Sequence, residues 1–157
     1  MRLFLTLYLL LMSAISLYAQ NSNNYLQVNT NTGLNFVCNS PESLENDQTI
    51  YGALTIRVRS KNNNCSIYAK ISSFIGPSGF NTTNYPIQLD YTSTNSNKGF
   101  NIISAPLTLT SVDQRLFNQN SSNSIFDYYY NLILKAPGYT YPLGHYNFVI
   151  LFTMTQP

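Results

Sequence analysis

The sequence predicts an all-β domain, folded as an antiparallel immunoglobulin-like β-sandwich. Apolar and polar residues alternate in several runs along the chain, which is the pattern of strands with one face in a core. Clusters of Gly, Pro, Asn and Ser separate these runs, as turns do between strands. No run shows a convincing amphipathic-helix period. A chain with about seven to nine short strands at regular spacing favours a sandwich.

The first residues have the composition of a secretory signal peptide. Arg2 supplies a positive charge, residues 3–17 are mostly apolar, and small side chains at Ser16 and Ala19 mark a cleavage site. The apolar run is short for a membrane span, and an uncleaved anchor is the alternative. The sequence therefore predicts a signal peptide over residues 1–19. The mature protein is expected to be secreted, without a stable membrane span.

The composition excludes several classes of protein. Only 9% of the residues are charged and the net charge is +2, so the charge balance gives no support for binding to nucleic acid. Aromatic residues make up 14% of the chain, with 13 tyrosines, which is too apolar for a disordered segment. Asn, Ser and Thr fill most polar positions. This combination is typical of extracellular β-proteins.

The two cysteines of the chain, Cys38 and Cys65, are expected to form a disulfide. An even number of cysteines in an exported protein favours a bridge, and two buried free thiols are the alternative. A metal site is disfavoured, because the chain has one His and no Cys-x-x-Cys motif.

The first half of the mature chain begins with a polar segment, residues 20–33, which is either a flexible arm or a weak first strand. The predicted sandwich domain covers residues 34–157. Its clearest alternation places Leu54, Ile56 and Val58 on one face. A second run over residues 65–74 follows a short polar turn, so the two runs are predicted to pair as a hairpin. The intervening residues 39–48 are interpreted as a loop.

The second half contains four further candidate strands and one candidate helical turn. Tyr128 and Tyr130 share the inner face of the longest of these strands. Residues 112–118 are interpreted as a single helical turn. The strands are predicted at residues 87–91, 100–105, 107–110 and 125–135.

The last residues form a long apolar strand. Phe148, Ile150 and Phe152 fall on one parity together with Tyr146 and Met154, so all five side chains point to one face. We expect the three central side chains to be nearly buried in the core. A strand of this kind at the end of the sequence has an edge that must be covered or paired. The pattern suggests a subunit that another polypeptide completes.

Catalytic chemistry has little support in the sequence. His145 stands alone, and the six acidic residues are scattered. Glu42, Glu45 and Asp47 crowd one loop without the spacing of a calcium site. We therefore predict no enzyme, no cofactor and no metal. An outward-facing Tyr129 could stack on a sugar ring, although a surface aromatic residue is the simpler interpretation.

The terminal strand resembles the C-terminal strand of chaperone–usher pilus subunits, and the chain is also similar to spore-coat-U-like secreted pilins. Those subunits end in an alternating apolar strand preceded by a glycine fourteen positions from the end, where this chain has Gly144. Their penultimate residue is tyrosine, whereas this chain has Gln156. The Cys38–Cys65 pair is similar to the pilin disulfide that links the first two strands.

The resemblance implies a sandwich that lacks its last strand and therefore has an open apolar groove. A periplasmic chaperone fills such a groove first, and the N-terminal arm of the next subunit replaces it by strand addition. Tyr25, Leu26 and Val28 mark residues 20–33 as the candidate donor arm. The implied function is a secreted structural or adhesive fimbrial subunit. The alternative is a self-contained extracellular β-sandwich that binds a carbohydrate or a host surface molecule. The residues of the implied assembly strand are Gly144, Tyr146, Phe148, Ile150, Phe152 and Met154.

Overall fold

The computed structural model describes residues 24–80 and 82–157. The predicted signal peptide over residues 1–19 and the first residues of the candidate arm lie outside these ranges. The described chain is almost entirely β, and all of its strand pairs are antiparallel. The predicted fold class is confirmed. Within the same ranges, no helix has the length and apolar character needed to cross a membrane.

The structure contains eleven strands and one short α-helix in its described part. The helix, α1, spans Pro41–Glu45. The strands in chain order are β1 (Asn24–Thr30), β2 (Val37–Cys38), β3 (Gln48–Ser60), β4 (Cys65–Ile75), β5 (Ile87–Thr94), β6 (Gly99–Phe100), β7 (Leu107–Thr108), β8 (Gln114–Gln119), β9 (Phe126–Leu134), β10 (Gly144–His145) and β11 (Asn147–Thr155).

Two sheets form the sandwich. One has the strand order β1-β3-β9-β5-β7 and the other has the order β11-β4-β8-β6, while β10 and β2 form a separate short pair. In an immunoglobulin sandwich, the first, second, fifth and fourth strands make one sheet, and the third, sixth and seventh make the other. Here β1, β3, β9 and β5 take the first set of positions, and β4 and β11 are the third and sixth strands. Among the described residues, no strand takes the seventh position beside β11.

The core lies between the two sheets and is built by alternate residues of the long strands. The predicted inner faces of β3, β4 and β9 are confirmed, because these side chains are at most 3% exposed. The ring of Phe117 stacks on Tyr128, with ring centroids 3.7 Å apart and an angle of 17° between the planes. The inward residues of the three strands are Leu54, Ile56, Val58, Cys65, Ile67, Ala69, Ile71, Tyr128, Tyr130, Leu132 and Leu134.

The predicted hairpin between the two runs that form β3 and β4 is wrong. β3 pairs with β1 and β9, whereas β4 pairs with β11 and β8 in the other sheet. Residues 61–64 therefore carry the chain from one sheet to the other. Alternation shows which face of a strand is buried but not which sheet the strand joins. Two adjacent runs therefore have the same pattern whether they form a hairpin or lie in different sheets.

Two predictions of local structure are also wrong. Residues 112–118 do not form a helical turn, because β8 pairs with β4 and β6 across most of that segment. The loop predicted at residues 39–48 contains α1. The side chain of Ser40 accepts a hydrogen bond from the Ser43 N–H at 3.3 Å, and the Ser43 hydroxyl accepts one from the Ser40 N–H at 3.2 Å. This reciprocal cap, followed by Pro41 in the first turn, satisfies backbone donors that a short helix otherwise leaves exposed.

The predicted Cys38–Cys65 disulfide is wrong, because both cysteines are free and buried. Cys65 begins β4, whereas Cys38 lies beside Phe74, near the far end of the same strand. At about 3.3 Å per residue, these positions are about 30 Å apart, and a disulfide needs Cα atoms within about 7 Å. Burial raises the pKa of each thiol. The thiols are therefore held in the protonated, unreactive form.

Candidate functional site

The free edge of β11 is the candidate functional surface of the described chain. β11 pairs with β4 on one side, and no described strand pairs with its other side. Its nine residues include neither a charged residue nor a proline. Soluble proteins usually protect edge strands with charges, prolines or short length. Val149 and Leu151 also leave the outer face of this strand apolar, at 54% and 46% exposure. An edge of this kind is suited to pairing with another strand.

β1 runs along the same side of the sandwich in the opposite sheet. Its residues pair with β3 from Asn24–Ser60 to Thr30–Leu54. Asn24 and Gln156 exchange two hydrogen bonds between their side-chain amides, at 2.6 Å and 3.3 Å. The Gln156 amide also donates to the Ser60 hydroxyl at 2.5 Å. These contacts place the two edge strands, one from each sheet, side by side.

An open groove of about 190 Å³ lies between the two edge strands. Thr30 is the polar member of its lining, and all other lining side chains are apolar. Each Å² of apolar surface that is removed from water stabilises a complex by about 25 cal/mol. The groove is therefore a favourable place for apolar side chains of a partner. The lining residues are Val28, Thr30, Leu34 and Leu54 on one side and Phe148, Ile150 and Phe152 on the other.

Two side-chain contacts lie near the groove. The Asn24–Gln156 amide pair joins the start of β1 to the residue that follows β11. The ring of Phe36 stacks on Phe148, which lines the groove, with centroids 6.2 Å apart.

The predicted assembly strand is divided among three environments. Gly144 lies in β10 and pairs with Cys38. Tyr146 is buried, with its ring 5.6 Å from that of Phe74, and burial raises its pKa to about 12. Met154 is half-buried at the edge of the core.

The three central residues of this strand, Phe148, Ile150 and Phe152, have the predicted parity but not the predicted burial. They are half-buried rather than nearly buried, since no described residue covers the open side of the groove. The expectation of full burial is wrong for this reason. The same exposure makes these side chains available to a partner.

The candidate donor arm is part of the domain in this structure. Tyr25, Leu26 and Val28 lie in β1, paired with β3 of the same chain. Leu26 and Val28 also pack against the core. Of the two interpretations of residues 20–33, the first strand describes residues 24–30 and the flexible arm does not. Residues 20–23 lie outside the described ranges. A donor role for the segment requires β1 to leave its own sheet.

Among the acidic residues, Asp47 and Asp127 form ion pairs with basic side chains. The Lys135 ammonium and the Ala136 N–H hold the pKa of the Asp47 carboxyl below its usual range. Arg57 pairs with Asp127 at 3.0 Å. His145 is exposed in β10. Across residues 24–80 and 82–157, no group of three or more His, Cys, Asp or Glu residues is placed to hold a metal.

The sequence pattern did not indicate that β1 forms the opposite side of the groove. Leu34, Leu54 and Val28 are far from the terminal strand in sequence, and only the sheet topology brings them opposite it. The alternating apolar residues of the terminal strand were the sequence signal for the other wall of the groove.

Comparisons with known proteins identify no family for this chain. No protein-family model and no curated protein matches it. Among solved structures, a family 123 glycoside hydrolase from Clostridium perfringens is similar over 85% of this chain, with 15% sequence identity and a TM-score of 0.44. This chain covers 25% of that enzyme's chain. The similarity is too low to support an argument about function.

Proposed function

We propose that the protein is a secreted structural subunit of the fimbrial type, which accepts a β-strand from another polypeptide between β1 and β11. The observation that carries this proposal is the coincidence of three features at one edge. The seventh strand position is empty among the described residues, the adjacent strand is apolar and uncharged, and an apolar groove lies beneath it.

Strand addition accounts for both parts of this surface. The main chain of an incoming strand would form hydrogen bonds with the free edge of β11. Its alternate side chains would point inward between Val28 and Leu54 on one wall and Ile150 on the other. The backbone bonds supply affinity and the buried side chains supply specificity, so the resulting assembly would be long-lived.

Partners follow from the same geometry. A neighbouring subunit would supply the strand in the assembled fibre, and a periplasmic chaperone would cover the groove before assembly. The donor in this proposal is an apolar segment of the neighbouring chain other than β1, because β1 of the accepting chain pairs with β3 and forms one wall of the groove.

A pair of substitutions on adjacent residues of β11 tests this function. We expect the purified mature chain to self-associate with increasing concentration, as measured by sedimentation velocity. Ile150→Glu should abolish association, because an incoming strand would bury an unpaired carboxylate in the groove. Leu151→Glu introduces the same charge on the exposed outer face of the strand, so its association should match that of the wild-type chain.

A third variant controls for loss of association that is caused by misfolding. Thr30 lines the groove but is exposed, and we expect Thr30→Glu to weaken association while the far-UV circular dichroism spectrum stays unchanged. A wild-type chain that remains monomeric at all concentrations would contradict the proposal. Equal association of the Ile150→Glu and Leu151→Glu variants would also contradict it.

A further inference from the structure

A second cleft lies on the outer face of the four-stranded sheet, away from the groove. It has a volume of about 220 Å³ and is lined by Tyr68, Asp113, Thr153 and Thr155. Tyr68 on β4 is paired in register with Thr153 on β11. Thr153 and Thr155 alternate with the inward-facing Phe152 and Met154, so the two sites use opposite faces of the same strand.

The polar groups of this cleft keep hydrogen-bonding capacity beyond their contacts within the protein. One carboxylate oxygen of Asp113 accepts a hydrogen bond from the Lys70 ammonium at 3.1 Å. Within the described chain, the other carboxylate oxygen and the hydroxyls of Thr153 and Thr155 make no hydrogen bond. The side chain of Asp113 is 46% exposed. The cleft therefore offers one oriented acceptor and two hydroxyls to a ligand.

Tyr68 supplies a different kind of contact. Its half-buried side chain lines the cleft between two polar walls, and an aromatic ring presents a flat apolar surface. A pyranose ring matches this combination, because its C–H groups form an apolar face and its hydroxyls surround the edge. A few placed polar groups beside an aromatic surface are typical of sites that orient a small ligand.

The charges of the cleft favour a neutral ligand. Lys70 balances Asp113 directly. Arg115 is paired in register with Tyr68 on the side of β8, but it is not part of the lining. A carboxylate-bearing sugar would meet the negative charge of Asp113 within the cleft, whereas a neutral sugar could donate a hydroxyl hydrogen to it.

We propose that this cleft binds a neutral pyranose unit, a hexose or an N-acetylhexosamine, of a glycan. Tyr68 stacks on the apolar face of the sugar. Asp113 accepts a hydrogen bond from a ring hydroxyl, and Thr153 and Thr155 bond to neighbouring hydroxyls. The site does not depend on strand acceptance, because it lies on the opposite face of β11.

Saturation-transfer NMR on the full mature chain tests the proposal, since it detects the sugar whether or not the protein is associated. The probes are the methyl glycosides of glucose, galactose, mannose and N-acetylglucosamine, with N-acetylneuraminic acid as the anionic comparison. We expect transfer to at least one neutral sugar, strongest on the protons of one ring face. Tyr68→Ala and Asp113→Asn should each raise the dissociation constant by about tenfold or more.

Tyr51→Ala is the matched control, because Tyr51 is 77% exposed on β3 in the other sheet. It should leave transfer unchanged. Asp113→Asn affects a surface side chain, so it keeps the test valid if Tyr68→Ala fails to fold. Lack of transfer to all four neutral sugars would overturn the proposal. Transfer that survives both cleft substitutions, or that is stronger for N-acetylneuraminic acid, would also overturn it.

Discussion

Replacing Phe117 with alanine is expected to lower the free energy of unfolding by about 3–5 kcal/mol. The side chain has no exposed surface and its ring stacks on Tyr128 across the core. Truncation would remove this contact and leave a cavity that β8 and β9, each fixed by strand pairing, can only partly close. Equilibrium unfolding in urea, followed by circular dichroism, measures the change.

Phe100→Ala provides the control for this substitution. Phe100 belongs to the same sheet, in the edge strand β6, but it is 36% exposed. Loss of its ring should reduce the free energy of unfolding by less than about 2 kcal/mol, since part of its surface is already in water. Similar losses for the two variants would show that the core is not centred on the Phe117–Tyr128 stack.

Gly144→Ala is expected to destabilise the domain by about 2–5 kcal/mol. A Cβ atom at this position would lie 2.4 Å from Cγ of Pro77, and the φ angle of +142° is one that L side chains rarely adopt. The proline ring cannot rotate away as a flexible side chain could. The β10–β2 pair would therefore have to shift. The midpoint of thermal unfolding gives the comparison with the wild-type chain.

Gly138→Ala is the control that distinguishes backbone strain from a steric clash. Gly138 also has a positive φ angle, +75°, but nothing lies within 4 Å of a Cβ atom placed there. Its substitution should produce only the backbone penalty, about 1–2 kcal/mol. If Gly144→Ala proves no more harmful than Gly138→Ala, the contact with Pro77 does not explain the need for glycine at position 144.

Alternation in the sequence was sufficient to predict the faces of the long strands. Each of β3, β4 and β9 has bulky apolar residues on one parity, and burial of Ile56, Ile67 and Leu132 follows this parity. The period of a strand depends only on local backbone geometry. For that reason a single sequence was enough to predict the fold class and most of the core.

The arrangement of the strands could not be predicted in the same way. The turn after β3 crosses between sheets, and nothing in residues 61–64 distinguishes this crossing from a hairpin. The prediction of a disulfide was wrong for a related reason. Cys65 lies at one end of β4, whereas Cys38 lies beside Phe74, near the other end of that strand. Sequence composition carries no information about that separation.

The groove was predicted in part. The alternating apolar residues of the terminal strand, and the resemblance to pilus subunits at Gly144, indicated an edge that needs a partner. The opposite wall depends on β1, whose alternation is short, and the amide pair of Asn24 and Gln156 joins residues from the two ends of the domain. Long-range contacts of this kind depend on topology rather than on local pattern.

Supplying the missing strand within the same chain tests the central claim most directly. A strand of about seven alternating valine and threonine residues would be appended after Pro157 through a flexible glycine–serine linker. The control carries the same linker followed by the same residues with two prolines inserted, which cannot complete a β-ladder.

The measurement is amide hydrogen exchange along β11, with the unfolding midpoint recorded in parallel. We predict slower exchange of the β11 amides that face the open edge, a higher unfolding midpoint and loss of self-association in the strand-bearing chain only. Identical exchange and identical midpoints in the strand-bearing and proline-bearing chains would contradict the claim that this edge is built to accept a strand.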